Sequence, residues 1–251
     1  MTASAVPLLE IAANSLASAL AAQDAGAGRV ELCASLGEGG LTPSYATIAL
    51  ARERLRIPLY VLIRPRAGDF LYSDLELETM LGDIEVCLRL GCDGVVIGTL
   101  DADGDVALAQ CRMLIAAAGR LGVTFHRAFD LTHDPQRALE DIIALGCARI
   151  LTSGQRSGAP AGAELIRTLI EQAAQRIVIM PGAGIDADNI AALRAQTGAT
   201  EFHASAKRPL ASSMRHRPQR LADLQGGEIR SDREQIGRML QALAGTRQGT
   251  G

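Results

Sequence analysis

Short apolar runs alternate along the chain with longer stretches in which apolar residues recur every three or four positions. The runs are LLEIA (8–12), RVELC (29–33), PLYVLIR (58–64), GVVIG (94–98), VTFH (123–126), RILTS (149–153), IVIMPG (177–182) and TEFHAS (200–205). Each is too short for a helix and several are rich in valine and isoleucine, so eight strands are expected. In the stretches between them the helical period is readable. Leu139, Ile142 and Ile143 form one stripe, and Ile236, Met239, Leu240 and Leu243 form another within 231–244, the expected final helix. Helix starts are marked as well. Thr42-Pro43 and Asp134-Pro135 place a cap residue before a proline, and Ser73 with Glu76 and Ser231 with Glu234 have capping-box spacing. Strands that alternate with helices imply parallel pairing through right-handed crossovers. Eight such units predict an α/β fold, a single (β/α)8 TIM-type barrel.

An internal repeat supports the barrel. AGAGRVELC (25–33), LGCDGVVIG (90–98), LGCARILTS (145–153) and TGATEFHAS (197–205) each set a glycine before a strand, where a helix needs a left-handed C-terminal cap. No linker divides the 251 residues, so one domain spans 1–251. The stretch 206–230 has neither period and is expected to be an irregular segment near the barrel mouth.

Composition narrows the setting. Apolar residues make up 48% of the chain, enough for a sizeable core, and the net charge is −3, which argues against a nucleic-acid or anionic-membrane partner. No apolar run approaches the length of a membrane span, and the first residues lack the basic and apolar regions of a signal peptide. The five cysteines are odd in number and include no Cys-x-x-Cys, which fits reduced thiols in a cytoplasm. Cys87, Cys92, Cys111 and Cys147 fall on helix stripes or in repeat positions and read as core; Cys33 stands apart. Symmetric dimers being the commonest oligomer, a homodimer is expected.

In a barrel of this type the chemistry sits at the C-terminal strand ends. Here those ends carry Glu10, Glu31 with Cys33, Arg64 with Arg66, His126 with Asp130, Thr152 with Ser153, Gly182 with Gly184, and His203 with Ser205. Period-two alternation turns Glu31 with Cys33, Thr124 with His126, and His203 with Ser205 toward the interior. Arg127 has the opposite parity and reads as a surface residue. Glu10, Glu31, His126, Asp130 and His203 are the acid–base candidates; the alternative is that Glu10 and Glu31 simply pair with Arg64 inside the mouth as a structural network. Arg64, Arg66, Thr152, Ser153, Ser205 and Lys207 are candidates for holding a small anion. In MPGAGIDADNI (180–190), Gly182 and Gly184 open a turn into a helix, a place where backbone N–H groups hold phosphate or carboxylate. The long third loop, IRPRAGDFLYSD (63–74), is either a lid over the mouth or a well-packed surface loop.

The runs RVELC with EGGLTPS (29–44), IRPRAGDFLYSD, VTFHRAFD, RILTSGQ (149–155), MPGAGI and TEFHASA, with MRHR at 214–217, together resemble the CutC copper homeostasis family over nearly the whole chain. The resemblance implies the same barrel, a cytoplasmic protein and a part in copper homeostasis, with copper as the bound ion. Cys33 would then be a metal ligand, helped by His126, His203 and Met180. Family members carry a second cysteine at the position of Ala12, so the thiolate pair that Cu(I) prefers is incomplete here. The residues themselves leave another reading open. In that reading the chain is a lyase or isomerase that applies acid–base chemistry to a small phosphorylated or carboxylated compound. No lysine stands at an inward strand end, which disfavours Schiff-base chemistry.

Overall fold

The computed structural model describes residues 7–216 and 227–245. The chain begins with β1 (Leu8–Ala13), α1 (Leu16–Asp24), β2 (Arg29–Leu32), α2 (Tyr45–Arg54), β3 (Leu59–Leu62) and α3 (Asp74–Leu90). It continues through β4 (Gly94–Ile97), α4 (Leu108–Ala118), β5 (Gly122–Phe125), α5 (Pro135–Leu145), β6 (Arg149–Thr152) and α6 (Ala163–Ala173). It ends with β7 (Val178–Pro181), α7 (Ile190–Thr197), β8 (Glu201–Ala204), β9 (Lys207–Leu210), β10 (Glu228–Ser231) and α8 (Arg233–Gly245). Strands β1 to β8 run parallel in sequence order, with β8 beside β1. A parallel bridge from Gly182 to His203 joins β7 to β8 and completes the ring. This is the expected (β/α)8 barrel.

Alternation along each strand divides the sheet into two unlike faces. Leu9, Ile11, Val30, Leu32, Val61, Ile97, Phe125, Ile150, Ile179 and Phe202 point outward and are buried against the helices in one continuous apolar core. Inside the ring the apolar cluster shrinks to Cys33, Tyr60, Leu62 and Val96. Register decides what fills the rest. Glu10 lies beside Arg29 on one neighbouring strand and His203 on the other. Tyr60 is paired with Gly94, and Gly94 with Gly122. Those two glycines make room for the ring, since a Cβ at either would fall 2.2 Å from a Tyr60 side-chain atom.

Three local expectations change. Helix α2 is capped by Ser44, whose hydroxyl accepts the Thr47 N–H, two residues beyond Thr42. Thr42 is taken by β3, its Oγ1 accepting the Arg64 N–H at 2.8 Å. At α8 the Asp232 carboxylate accepts the Gln235 N–H, while Ser231 donates its backbone N–H to Ser18. Asp232 therefore does the capping that Ser231 was expected to do. Finally, the stretch 206–230 contains two strands: β9 and β10 pair antiparallel, from Lys207 opposite Ser231 to Leu210 opposite Glu228. Bonds from Asn14 to the Ile229 carbonyl and from Ser231 to Ser18 tie this hairpin to the start of α1. Residues 217–226 lie outside the described residues. The caps at Ser73, Asp134 and the left-handed glycines 91, 146 and 198 are as expected.

Candidate functional site

The barrel interior has a floor and a mouth. On the floor, Glu10 binds the Arg29 Nε through Oε2 and the His203 Nδ1 through Oε1, the latter at 2.7 Å. Arg29 also donates to Glu201 at 2.6 Å and meets the Met180 sulfur at 3.4 Å. Arg149 donates to the same Glu201 oxygen at 3.2 Å and reaches Thr124 at 3.3 Å. The Tyr60 ring lies between the two guanidiniums, 5.2 Å from Arg29 and 5.0 Å from Arg149. Every charge here has an opposite partner. Burial alone would raise the Glu10 pKa, yet the bonds from His203 and Arg29 hold it down at about 2.

Above the floor is a cavity of about 300 Å³ whose lining includes Glu31, Arg64, Phe70, His126, Arg127 and His203. Six buried side-chain N or O atoms lack a hydrogen-bond partner among the described residues, and Glu31 Oε2, Arg64 Nε and His126 Nε2 belong to this lining. A buried polar atom left unpaired costs about 1–3 kcal/mol, so three around one cavity need an explanation.

Each is held in place by its surroundings. His126 follows β5, and its Nδ1 accepts the Ala128 N–H at 3.1 Å, capping the short 3-10 helix Arg127–Leu131. A neutral ring with Nδ1 as acceptor carries its proton on Nε2, so His126 presents a donor. Burial, with the Arg64 and Arg127 charges, pushes its pKa down to about 3, which keeps it neutral. Gly98 allows this position, because a Cβ there would lie 2.4 Å from His126 Nδ1. Glu31 has no countercharge in hydrogen-bond contact. Burial raises its pKa to about 7; Glu10 adds to the rise, and His203 and Arg29 oppose it. His203 moves upward: burial would lower it, but the Glu31 charge and the Glu10 bond outweigh that. The two histidines thus hold opposite protonation preferences in one cavity.

Arg64 does not pair with Glu10 or Glu31. Its guanidinium donates to the carbonyls of Glu38, Gly40 and Gly68 at 2.8–2.9 Å and lies 5.0 Å from the Phe70 ring centroid. Among the described residues no carboxylate forms an ion pair with it. The same Phe70 ring is 4.8 Å from His126, so the third loop packs onto the mouth through this residue. Arg66 serves that loop, bonding Glu76, Asp69 and three loop carbonyls, and is absent from the cavity lining. Arg127, read from parity as a surface residue, lines the cavity because the chain leaves strand geometry at His126. It pairs with Asp130 at 2.7 Å.

Asp130 lines the cavity but is saturated. Besides Arg127 it accepts from Thr152 Oγ1, from Ser153 through its hydroxyl and N–H, and from the Gln155 N–H. It fixes the loop after β6, and Thr152 and Ser153 are fully buried as its partners. After β7, the Gly182 N–H and the N–H groups that lead into α7 are used by the chain itself. Gly182 donates to the Thr152 carbonyl, Asn189 donates to the Gly184 carbonyl, and Asp186 accepts the N–H groups of Asp188 and Asn189. An acidic side chain thus holds the place at the start of α7 where an anion was expected. Ser205 is half-buried beyond β8, and Lys207 is exposed on the hairpin strand β9; neither lines the cavity.

Cys33 points inward as expected but is absent from the cavity lining and packs with Tyr60, Leu62 and Val96. Burial, reinforced by Glu31, pushes its thiol pKa far up, position 12 is an alanine, and the Met180 sulfur is taken by Arg29. These residues do not fit a Cu(I) thiolate centre. Among the described residues, Glu10, Glu31 and His203 form a possible metal triangle, with ligand atoms within 4.8 Å of one another. Arg29, Glu201, Arg149 and Tyr60 were missed in the sequence. The signal was available, because Arg29 and Glu201 each stand two residues before an inward residue already chosen.

The family model for the CutC family matches residues 7–208. The chain belongs to the CutC family. A family protein CutC from Xylella fastidiosa strain Temecula1 is 57% identical over 94% of this chain and 88% of its own length. One from Xanthomonas campestris strain B100 is 58% identical over 94% and 98%. The crystal structure of CutC from Streptococcus agalactiae, named there for copper homeostasis, superposes with a TM-score of 0.76 at 35% identity, covering 79% of this chain and 98% of that one. Thiamine phosphate pyrophosphorylase from Pyrococcus furiosus, at 15% identity and a TM-score of 0.60, shares the barrel alone. No helix among the described residues is long and apolar enough to cross a membrane.

Proposed function

We propose that this CutC-family chain is an acid–base enzyme of the isomerase or lyase type, acting on a small anionic carbonyl compound. The observation that carries the reading is the convergence of three unpartnered buried polar atoms, on Glu31, His126 and Arg64, in one cavity. Glu31, with a pKa near 7, is matched to taking a proton from carbon and returning it at neutral pH. In the proposed step Glu31 Oε2 removes the proton from the carbon next to the carbonyl. The C–H electron pair moves into a C=C bond and the carbonyl π pair moves to oxygen. His126 Nε2–H donates to that oxygen, as a preorganised neutral donor should. His203, oriented by Glu10, then delivers a proton to another atom of the substrate, completing an isomerisation or releasing a leaving group. Arg64 supplies the charge that holds the anionic end.

The test is exchange of the carbonyl-adjacent hydrogen into D2O, followed by proton NMR for 4-methyl-2-oxopentanoate and dihydroxyacetone phosphate. Wild type should exchange at least one probe, and Glu31→Gln should slow it by about 100-fold or more. Exchange no faster with wild type than with Glu31→Gln would overturn the reading.

A second reading, a divalent ion held by Glu10, Glu31 and His203, has the 4.8 Å triangle in its favour. It would link the chain to the copper role for which its structural relative is named, through Cu(II) and N/O ligands in place of Cu(I) and sulfur. Both Glu10 oxygens are already bonded to Arg29 and His203, and this weighs against it. A Cu(II) titration that gives stoichiometric binding in wild type and none in Glu31→Gln would favour it.

A further inference from the structure

We infer that Cys87 and Cys92 form a redox site, in which a hydroperoxide joins the two thiols as an intrachain disulfide at the end of α3. The inference stands apart from the acid–base cavity and does not rest on it.

The site is set by how the helix stops. At Gly91 the backbone turns left-handed, with φ at 73°, and two bonds close the helix end. The Cys92 N–H donates to the Cys87 carbonyl at 3.0 Å, and the Gly91 N–H to the Leu88 carbonyl at 3.2 Å. This motif folds the residue after the glycine back over the last turn, where its side chain meets that of the residue whose carbonyl it bonds. The same two bonds end α1, joining Ala22 and Ala27, and α5, joining Ile142 and Cys147. All six of these side chains are buried. Of the three turns, that of α3 alone sets a thiol against a thiol.

The backbone leaves the pair within reach. The bond between Cys92 and Cys87 holds their Cα atoms to within about 6–7 Å, and a disulfide spans roughly 4.4–6.8 Å. The thiols already interact. Their mutual hydrogen bond raises the pKa of Cys87 and lowers that of Cys92, and the Arg52 charge adds to the lowering. Asp93 anchors the far side of the turn, pairing with Arg52 and accepting the Leu59 N–H at 2.8 Å. Cys111, by contrast, has its Sγ 3.2 Å from the Thr99 hydroxyl.

Cys92 is the attacking residue, since it is 5% exposed where Cys87 is fully buried, and the thiolate is the reactive form. Its thiolate attacks one oxygen of the hydroperoxide. The S–O bond forms, the O–O bond breaks, and the departing oxygen takes a proton. Cys87 then attacks the Cys92 sulfur. The S–S bond forms, the S–O bond breaks, and hydroxide leaves with the Cys87 proton as water. The two thiols together supply the two electrons that reduce one peroxide.

The test treats the folded full chain with hydrogen peroxide, then alkylates the remaining thiols in urea. Trypsin cuts after Arg89, between the two cysteines, so the disulfide appears as joined peptides 67–89 and 90–112, and fragmentation separates Cys92 from Cys111. The expected result is a Cys87–Cys92 link that dithiothreitol reverses, with the other three of the five cysteines still alkylated. Cys87→Ala should leave Cys92 to gain oxygen, and Cys92→Ala should form no link. Alanine fills both slots at the end of α1, so both variants should fold, which circular dichroism checks. No link in folded wild type under excess peroxide overturns the inference. So does a link that forms only after unfolding in urea, or one between Cys111 and Cys147 in its place.

Discussion

The floor and the mouth of the barrel are built from the same residue types and solve opposite problems. On the floor Glu10, Glu201, Arg29 and Arg149 neutralise one another around Tyr60, and none of their atoms is among the unpartnered ones. At the mouth Glu31, His126 and Arg64 each keep one buried atom unpartnered. Two glutamates on adjacent strands therefore diverge, Glu10 to a pKa of about 2 and Glu31 to about 7. What separates them is the pair of hydrogen bonds that Glu10 accepts, from His203 and from Arg29, and that Glu31 lacks. The floor's pairing supports the fold, whereas the mouth holds polar groups that a ligand or water would satisfy.

The comparison can be broken most forcefully at Arg29. Arg29→Met leaves the buried Glu10 without its guanidinium partner, and half-buried Glu201 with Arg149 alone, and should destabilise the fold by about 3–5 kcal/mol in chemical denaturation. A loss below about 1 kcal/mol would mean that the floor is not an obligate ion-pair network. Next comes a change of opposite sign. Glu31→Gln removes a carboxylate whose ionisation the folded state resists, so at pH 8 it should stabilise by about 3 kcal/mol. The folded pKa of Glu31 lies above its ordinary value of 4.5, so its contribution to stability is complete below 4.5 and lost as pH rises to about 7. Glu10 and His126 run the other way. Their folded pKa values are depressed, so their contributions are complete above 4.5 and 6.5 and are lost as pH falls toward about 2 and 3. The stability of Glu31→Gln should therefore be flatter than that of wild type between pH 4.5 and 7, and unchanged in its acid limb. The smallest effect is expected at Cys33. Cys33→Ala removes a sulfur from the inward apolar cluster and should cost about 1 kcal/mol, with Glu31-dependent hydrogen exchange unchanged. A large loss of ligand or metal binding would return Cys33 to the site.

The barrel was legible because its signals are local: apolar runs, helix caps, and glycines ahead of alternate strands. Glu31, His126 and His203 were legible for a related reason, since strand parity and position at a strand end place them at the mouth. Partners were harder, because they depend on register between strands, which no single segment encodes. Glu10 meets Arg29 because β1 and β2 align those two residues. Arg64, just after β3, is two strands away and is taken up by loop carbonyls. Parity also stops where a strand stops. Arg127 enters the cavity through a short helix that His126 caps, and alternation carries no information there. The glycine turn after β7 misled for a third reason. Its pattern is that of an anion site, but Asp186 supplies the anion from within the chain.

The account depends on Glu31 being a carboxyl group poised near neutrality. Its titration can be followed directly by carbon NMR of the side-chain carboxyl in protein labelled at glutamate, with Glu31→Gln assigning the signal. A midpoint near 7 is expected, with Glu10 still ionised at pH 4. A midpoint near 4.5 would mean that Glu31 is an ordinary carboxylate and that the mouth is a second structural network like the floor.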